Sequence, residues 1–450
     1  MSGLLHRRLD RAPPRAVAAS GLIVRTADGR EVIDASGGAA VSCLGHGHPA
    51  VVEAIQRQAA TLGYVHSGFF TSAPAEALAD RLVGHSPGGL SRALFVSGGS
   101  EAMEAALKLA RQYFLEAGEP RRSRFIARRQ SYHGNTLGAL ALSGNAARRA
   151  PYEPMLGDAF SHVSPAFAYR YRRADEDDTA YVARLRQELI DHFEALGPAT
   201  VAGFVAETVV GATAGAVAAP RGYFRAMREV CDRYGALLIL DEVMCGMGRT
   251  GTLHAWEAEG VAPDLQIVAK GLGGGYQPIG ALLAGGRIVE TIARGSGALM
   301  HGHTYMAHPI ACAAALAVQR TIADERLLDA VVARGRQLAA QLQQRLGDHP
   351  HVGDIRGRGL LMAVELIADR ATGEPFAPRE RIADRLKAAA FERGLACYPG
   401  SGTIDGERGD HVLIAPPFIA TEADIAAIVE RLAASVDAIC GGEDHGPVAT

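Results

Sequence analysis

Two short apolar runs, each ending at a charged residue, constrain the fold of this chain more than any other feature of its sequence. Residues 236–240 stop at Asp241, and residues 265–269 stop at Lys270. Runs this short and this continuously apolar are typical of strands buried on both faces of a parallel sheet. In open α/β sheets, ligands bind outside the carboxyl ends of the strands. We therefore expect the carboxylate and the amine to face one crevice.

The acid and the amine at these strand ends admit two interpretations. A salt bridge could link the neighbouring strand ends, because an unpaired charge is costly to bury. The other interpretation is a cofactor clamp. Pyridoxal phosphate needs a lysine that forms an imine with its aldehyde, and a carboxylate that keeps its ring nitrogen protonated. The glycines after Lys270 would let the backbone pass close to a flat ring; they are Gly271, Gly273, Gly274 and Gly275.

Composition limits the classes of partner. The 450 residues, 48% of them hydrophobic, can bury a large core and divide into two domains. The 46 basic and 49 acidic residues nearly cancel, which gives no electrostatic reason to expect nucleic acid or an anionic membrane. No apolar run reaches the length of a membrane span, and the N-terminus lacks the apolar core of a secretion signal. Six scattered cysteines favour a cytoplasmic location over a disulfide framework or a zinc site, so we expect no metal.

The order of apolar segments predicts an α/β protein. Residues 1 to about 20 are expected to form a polar arm, and a hairpin follows around residues 27–29. A strand ending at Glu207, an amphipathic helix and the strand ending at Asp241 imply right-handed parallel crossovers. One long helical stretch is expected over residues 309–346. The predicted units are an N-terminal arm and hairpin packing with the small domain at 1–50, a large cofactor-binding domain at 51–330 and a small C-terminal α+β domain at 331–450.

A second strong signal is the segment in which a strand turns through Ser-Gly-Gly-Ser directly into a helix. The strand covers residues 93–96 and the turn covers residues 97–100. This geometry aims free backbone N–H groups and the positive end of a helix dipole at one point, which predicts a phosphate site. Ser100 either adds a hydroxyl to that site or caps the helix with Glu104 near the N3 position, and the two roles are compatible. No G-K-[ST] follows, so the turn is not a P-loop.

Two pairs of ring-bearing residues lie in loops. Tyr132 and His133 follow another short strand, where an aromatic ring can lie flat against a planar ligand. Phe69 and Phe70 precede a helix, and such a pair either plugs a core or a subunit interface or lines an apolar substrate pocket.

Taken together, these segments resemble the class III, ω-aminotransferase type, family of pyridoxal-phosphate enzymes. The resemblance covers nearly the whole chain and rests on the segments SGGSEAMEAALKLAR, SYHG, LLILDEVMCGMGRTG, IVAKGLGGG, HGHTY and APPF. It implies the fold type I PLP-dependent transferase fold, with a mostly parallel central sheet in a large domain and a smaller α+β domain. It also implies pyridoxal 5'-phosphate as cofactor and a homodimer with active sites at the interface.

The resemblance further implies a role for each matching residue. Lys270 would form the internal aldimine and, once freed by the substrate amine, would carry the proton between substrate carbon and cofactor. The other cofactor-binding positions would be Asp241 at the ring nitrogen, Val243 and Tyr132 on the ring faces with His133 beside them, Gly99 and Ser100 at the phosphate, Thr304 from the neighbouring subunit, and Glu207 as an acid near the cofactor. Phe69 and Phe70 would wall the substrate pocket across the dimer interface.

The substrate-recognition segment departs from the family's pattern. Many members carry an arginine, shortly before the PP motif, that binds the α-carboxylate of the keto acid. In YPGSGTIDGERGDHVLIAPPF the one arginine is Arg408. It is either that bidentate carboxylate clamp or an exposed loop residue.

These residues predict a ping-pong aminotransferase. A small-molecule primary amine or ω-amino acid would donate the amino group, and a keto acid such as pyruvate or 2-oxoglutarate would accept it. An aminomutase, racemase or decarboxylase would use the same motifs and is the alternative. A dinucleotide-binding protein would need G-x-G-x-x-G after the first strand, a spacing that S-G-G-S-E-A lacks.

Overall fold

The computed structural model describes residues 3–10, 12–84, 86 and 88–440. The outermost residues of the predicted N-terminal and C-terminal units, 1–2 and 441–450, lie outside the described residues. In the described ranges, no helix combines the length and the apolar character needed to cross a lipid bilayer.

Strands alternate with helices through most of the described chain. The strands are β1 (Ala16–Ser20), β2 (Ile23–Thr26), β3 (Glu31–Asp34), β4 (Leu90–Val96), β5 (Arg124–Arg128), β6 (Phe160–Val163), β7 (Val201–Glu207), β8 (Val209–Val210), β9 (Val217–Ala218), β10 (Leu237–Asp241), β11 (Leu265–Val268), β12 (Gly280–Gly285), β13 (Val352–Arg358), β14 (Leu361–Leu366), β15 (Leu395–Ala396), β16 (Tyr398–Ser401) and β17 (Asp410–Ile414). The helices are α1 (Gly37–Ala40), α2 (Pro49–Thr61), α3 (Ala73–Gly84), α4 (Gly99–Glu116), α5 (Leu137–Leu142), α6 (Ala146–Arg149), α7 (Ala168–Tyr171), α8 (Asp178–Leu196), α9 (Tyr223–Tyr234), α10 (Gly286–Arg294), α11 (Pro309–Asp324), α12 (Leu327–Leu346), α13 (Ile382–Glu392) and α14 (Glu422–Cys440).

A central sheet organises the larger part of the chain, and in the described residues it has the strand order β4-β12-β11-β10-β7-β5-β6. β10 pairs in parallel with β7 and β11, and β5 pairs in parallel with β7 and β6. β12 runs antiparallel to both of its neighbours, β11 and β4. Every residue of β7, β10 and β11 is buried, as expected for strands with no face in water. The prediction of a mostly parallel central sheet with buried strands is confirmed.

Helices cover both faces of this sheet. On one face α3, α8, α9 and α11 contribute to an apolar layer that includes Leu78 and Phe224. On the other face α4, α5 and α10 contribute to a second layer that includes Met103 and Ile288. Gly235 directly follows α9, and its φ of +64° is the left-handed conformation that glycine favours after a helix. The two apolar layers hold the carboxyl ends of the parallel strands at one edge of the sheet.

A third core combines C-terminal and N-terminal segments. The sheet β13-β14-β17-β16 packs with α12, α13 and α14 through apolar side chains such as Leu338, Leu386 and Ile428. β15 pairs in parallel with β3, and Ile33 and Leu44 are buried in the same core. The predicted limits of the three units stay predictions.

Two local predictions are wrong. Residues 16–20, expected in a polar arm, form β1, which pairs antiparallel with β2. All five side chains of β1 are exposed, so no apolar periodicity marks the strand in the sequence. The single helical stretch expected over residues 309–346 is divided into α11 and α12. Arg326 separates them with a φ of +52°, and a left-handed residue interrupts an α-helix.

Candidate active site

The carboxyl ends of β7, β10 and β11 open onto a cavity of about 540 Å³. Glu207 ends β7 and Asp241 ends β10, and the two are register partners in the parallel pair. Lys270 follows β11 and lines the same cavity. The structure therefore brings together the acids and the amine that the sequence places at strand ends. They lie at the edge of the sheet where open α/β folds bind ligands.

The Asp241 carboxylate is held in one direction by neighbouring segments. Asp241 is 4% exposed. Its Oδ2 lies 2.9 Å from Nδ1 of His133, and its Oδ1 accepts a hydrogen bond from the backbone N–H of Val243 at 3.0 Å. In the described part of the chain, Nε2 of His133 is buried and has no hydrogen-bond partner. A histidine that contacts one oxygen of a carboxylate fixes the orientation of that carboxylate, so His133 keeps the Asp241 side chain directed into the cavity.

Glu207 is an acid whose surroundings oppose its ionisation. It is 6% exposed, and its Oε1 accepts a hydrogen bond from the backbone N–H of Tyr132 at 3.4 Å. Its Oε2 is buried, with no hydrogen-bond partner among the residues that the structure describes. Burial, reinforced by the negative charge of Asp241, raises the pKa of Glu207 to about 8. At neutral pH the Glu207 carboxyl group is therefore mostly protonated and can donate a hydrogen bond.

Lys270 sits on a strained piece of backbone. Its φ is +43°, a left-handed conformation that is uncommon for a residue with a side chain. Such strain persists where the surroundings over-determine the conformation, and it clusters at functional sites. The side-chain amide of Gln319 provides part of that support, because it donates hydrogen bonds to the carbonyls of Gly271 and Leu272 at 3.0 Å each. Burial lowers the pKa of the Lys270 amine, although Asp241 and Glu207 act in the opposite direction. The lowered pKa increases the neutral, nucleophilic fraction of the amine.

The turn between β4 and α4 forms another wall of the cavity. Residues 97–100 line it at the start of α4, where the first backbone N–H groups of a helix lack intrahelical partners. Oε2 of Glu101 accepts a hydrogen bond from the N–H of Ser97 at 2.7 Å and so holds the turn. α4 begins after Gly98 with no side-chain cap, so the interpretation of Ser100 as a helix cap is wrong. Glu104 instead accepts a hydrogen bond from the Thr136 hydroxyl at 2.7 Å.

Glycine is required where this turn approaches its neighbours. A Cβ at Gly99 would lie 3.0 Å from Cγ1 and 3.1 Å from Cγ2 of Val243, the side chain that the resemblance places on a ring face. A Cβ at Gly280, the first residue of β12, would lie 2.5 Å from the carbonyl oxygen of Gly98. The turn is thus packed between the loop after β10 and the start of β12, and a side chain at Gly99 or Gly280 would crowd these neighbours.

The segment around Tyr132, which follows β5, forms a further wall of the cavity beside the strand ends. The N–H of Asn135 donates a hydrogen bond to Oγ of Ser100 at 3.0 Å, which ties this segment to the Gly-rich turn. The Tyr132 ring lines the cavity, and Cζ of Arg148 lies 4.9 Å from the ring centroid. Arg7 and Tyr398 complete the outer part of the lining.

Four predicted site residues lie outside the lining of this cavity. Phe69 and Phe70 are 82% and 65% exposed, so within this chain neither of them plugs a core. Thr304 is exposed, and its carbonyl accepts a hydrogen bond from the Tyr64 hydroxyl at 2.9 Å. Arg408 is exposed, and its Nε donates to Oδ2 of Asp405 at 2.7 Å. Arg408 is thus an exposed loop residue outside the cavity lining in this structure, and its role as a carboxylate clamp stays a prediction.

Sequence reasoning missed Glu242, the residue directly after Asp241. Successive side chains at a strand end point to opposite sides, so Glu242 faces away from Asp241 into the interior. Its carboxylate accepts hydrogen bonds from the Thr208 hydroxyl at 2.8 Å, the N–H of Trp256 at 2.7 Å and the side-chain amide of Gln266 at 2.8 Å. Burial raises the pKa of Glu242 to about 7. These bonds hold the loop after β10 in place. In the sequence, the alternation of side chains along a strand could have shown that Glu242 points away from Asp241.

Comparisons with known proteins agree on one family. The model of the class-III aminotransferase family matches residues 8–436. An uncharacterised aminotransferase of Schizosaccharomyces pombe is 47% identical over 433 residues, which cover 96% of this chain and 94% of the relative. A thermostable (S)-enantioselective ω-transaminase from Thermomicrobium roseum has a TM-score of 0.89 at 36% identity, with 96% of this chain and 93% of that chain covered. An ω-transaminase from Pseudomonas jessenii in complex with PMP has a TM-score of 0.90 at 32% identity, with 95% and 93% covered. The predicted fold type I is confirmed.

Proposed function

This chain belongs to the class III aminotransferase family, and from that premise we propose that it transfers an amino group from a primary amine or ω-amino acid to a keto acid by a ping-pong mechanism. The observation that carries the proposal is the convergence of Lys270, Asp241 and Glu207 on one cavity beside a Gly-rich helix start. Family enzymes depend on pyridoxal phosphate, so the first question is whether the residues of this cavity fit that group.

The cavity has a matching protein group for the aldehyde, the ring nitrogen and the phosphate of pyridoxal phosphate. A buried amine at Lys270 matches the aldehyde, and a carboxylate held by His133 matches a protonated ring nitrogen. The start of α4 at Gly99 and Ser100 matches a phosphate, because its backbone N–H groups and helix dipole favour an anion. Oε2 of Glu207 is a buried polar atom without a partner in the described chain, as a group that meets a ligand would be. The volume of about 540 Å³ lies in the usual range of ligand pockets.

When bound, pyridoxal phosphate supplies an electron sink and a carrier for the amino group. Lys270 is proposed to hold the cofactor covalently and, when released, to remove and return the proton at the amine-bearing carbon of the substrate. Burial favours this role because it keeps part of the amine neutral and able to accept a proton. Asp241, oriented by His133 and the N–H of Val243, is proposed to hold a proton at the ring nitrogen.

Glu207, Tyr132 and Val243 are proposed to position the ring. The protonated carboxyl of Glu207 can donate a hydrogen bond at neutral pH, which an ionised carboxylate beside Asp241 could not do. Val243 contacts the Gly99 turn, and Tyr132 is tied to Glu207 through its backbone N–H. These three residues therefore link the proposed phosphate, ring and nitrogen sites into one rigid unit.

The assembly is proposed to be a homodimer in which Thr304 reaches the partner's phosphate site and Phe69 and Phe70 wall the partner's substrate pocket. The exposure of both phenylalanines, and of Met300 at 70% and Tyr305 at 60%, supports a protein partner on this surface. A cytoplasmic location is also proposed, on the ground that all six cysteines are free in the structure. Light scattering of the purified protein would test the dimer, because a monomer mass would contradict it.

The function is tested by following the visible absorbance of the cofactor-loaded protein. An amine donor alone should remove the absorbance, and added pyruvate or 2-oxoglutarate should restore it. The Lys270→Ala variant should show neither change, whereas Lys108→Ala, a lysine on the exposed side of α4, is the matched control and should behave as wild type. If substrate is converted without net transfer to any keto acid, the protein is instead a mutase, racemase or decarboxylase.

A further inference from the structure

The outer end of the cavity carries a guanidinium group that the proposed chemistry does not use. Arg148 lies on the short helix α6, and its backbone N–H is held by Oδ1 of Asn145 at 3.1 Å. Its guanidinium lies over the Tyr132 ring, with Cζ 4.9 Å from the centroid, and it lines the cavity. The residue is exposed, so its charge lies at the open end rather than among the buried acids.

Two other arginines, unlike Arg148, are paired with acids. Arg149, the next residue, contacts Glu153 at 3.1 Å, and Arg408 contacts Asp405 at 2.7 Å. Among the described residues, no carboxylate lies within ion-pair distance of Arg148. A guanidinium without an acidic partner, next to a ligand cavity, keeps its N–H donors available for an incoming anion.

The charges in the cavity are separated along its depth. The inner end holds Asp241 and Glu207, both buried at strand ends, whereas the exposed Arg148 and Arg7 line the outer part. A substrate carboxylate would be repelled by the Asp241 carboxylate at the inner end and attracted by the outer arginines. This separation orients a molecule with an amine or carbonyl at one end and a carboxylate at the other.

We propose that Arg148 is the residue that binds the substrate carboxylate, the task that the sequence suggests for Arg408. This inference rests on the proposed aminotransferase function and names its substrate class: amines and keto acids that carry a carboxylate. Stacking on Tyr132 holds the guanidinium plane in place, and its N–H groups can then make two parallel hydrogen bonds to one carboxylate. Because a ping-pong enzyme uses one site for donor and acceptor, Arg148 serves the carboxylates of both.

The test separates recognition of charge from catalysis. The variants are Arg148→Gln, Arg148→Lys and the matched control Arg336→Gln, an exposed arginine of α12 that lies outside the cavity lining. Each protein is first loaded with pyridoxamine 5'-phosphate, which brings the amino group with it, so that no amine donor is needed. The acceptor is then either pyruvate or propanal, which have the same chain length but differ in the carboxylate. Calorimetric titration with glutarate, an unreactive dicarboxylate, adds a readout that needs no turnover.

Arg148→Gln should lower kcat/KM for pyruvate by roughly 10- to 100-fold, the range expected for a lost hydrogen bond to a charged group. It should leave the rate with propanal unchanged, and it should weaken glutarate binding to a similar extent. Arg148→Lys should retain part of the preference for pyruvate, because it keeps the charge but loses the paired donors. Arg336→Gln should match wild type throughout.

Two results would overturn the inference while leaving the proposed function intact. An unchanged ratio of pyruvate to propanal in Arg148→Gln would show that another group binds the carboxylate. An equal loss with pyruvate and with propanal would show that Arg148 only supports the Tyr132 ring. Failure of the proposed function would differ from both, because wild-type protein would then transfer no amino group to either acceptor.

Discussion

The Glu207→Gln substitution should remove part of the stability loss that the cofactor-free protein shows as the pH rises from 5 to 8. In the unfolded chain this carboxyl ionises near its ordinary pKa of 4.5, but in the folded protein burial and Asp241 raise the pKa to about 8. The folded state therefore binds the Glu207 proton more tightly than the unfolded state. Stability from this group is fully present below pH 4.5 and is lost as the pH rises toward 8.

The size of the effect follows from the difference between the two pKa values. Each pKa unit corresponds to about 1.4 kcal/mol, so the loss for wild type between pH 4.5 and pH 8 is at most about 5 kcal/mol. Glutamine does not ionise, so the variant avoids this loss. The free energy of unfolding of Glu207→Gln minus that of wild type should therefore grow by a few kcal/mol from pH 5 to pH 8.

The assay is denaturant unfolding of cofactor-free wild type and variant at half-unit steps from pH 5 to pH 8. Taking the difference between the two proteins removes the contribution of other groups that titrate in this interval. Glu407→Gln is the matched control, because Glu407 is an exposed glutamate on the loop after β16 and its loss should leave the pH dependence unchanged. A difference that stays flat, or that shrinks as the pH rises, would refute the account of Glu207 as a buried, protonated acid.

Two further predictions concern the cofactor site. The Asp241→Asn variant should still bind pyridoxal phosphate but should remove the substrate proton roughly 100-fold more slowly, or slower still, because the ring nitrogen loses the partner that keeps it protonated. Exchange of the donor proton with deuterium measures this rate. An unchanged exchange rate would count against the role assigned to Asp241. Gly99→Ala should weaken cofactor binding by about tenfold, because its Cβ would crowd Val243 at 3.0 Å. Adding Val243→Ala should recover part of that loss in a fluorescence titration with pyridoxal phosphate, and a double variant no better than Gly99→Ala would contradict the proposed contact.

Features of the fold that depend on local sequence could be predicted. The strands before Asp241 and Lys270 are continuous apolar runs, and the turn at residues 97–100 leads directly into a helix, so nearby residues alone determine them. The same local rules failed where no periodicity exists, as in the exposed strand β1. They also failed at Arg326, whose left-handed φ nothing in the neighbouring residues signals.

The outer part of the site could not be predicted because long-range packing brings it together. Arg148 meets Tyr132 sixteen positions away and joins Arg7 from the N-terminal segment and Tyr398 from β16. The segment before the PP motif suggested Arg408 by sequence distance alone. The structure shows that the loop between β16 and β17 turns this arginine onto Asp405 instead.

The attachment of pyridoxal phosphate to Lys270 is the claim on which the proposed function depends, and the composition of the chain makes it directly measurable. The chain has three lysines, Lys108, Lys270 and Lys387. Borohydride reduction of the cofactor-loaded protein, followed by peptide mass mapping, should place the phosphopyridoxyl group on Lys270 and leave the other two unmodified. A label on Lys108 or Lys387, or a protein that takes up no label at all, would contradict the account.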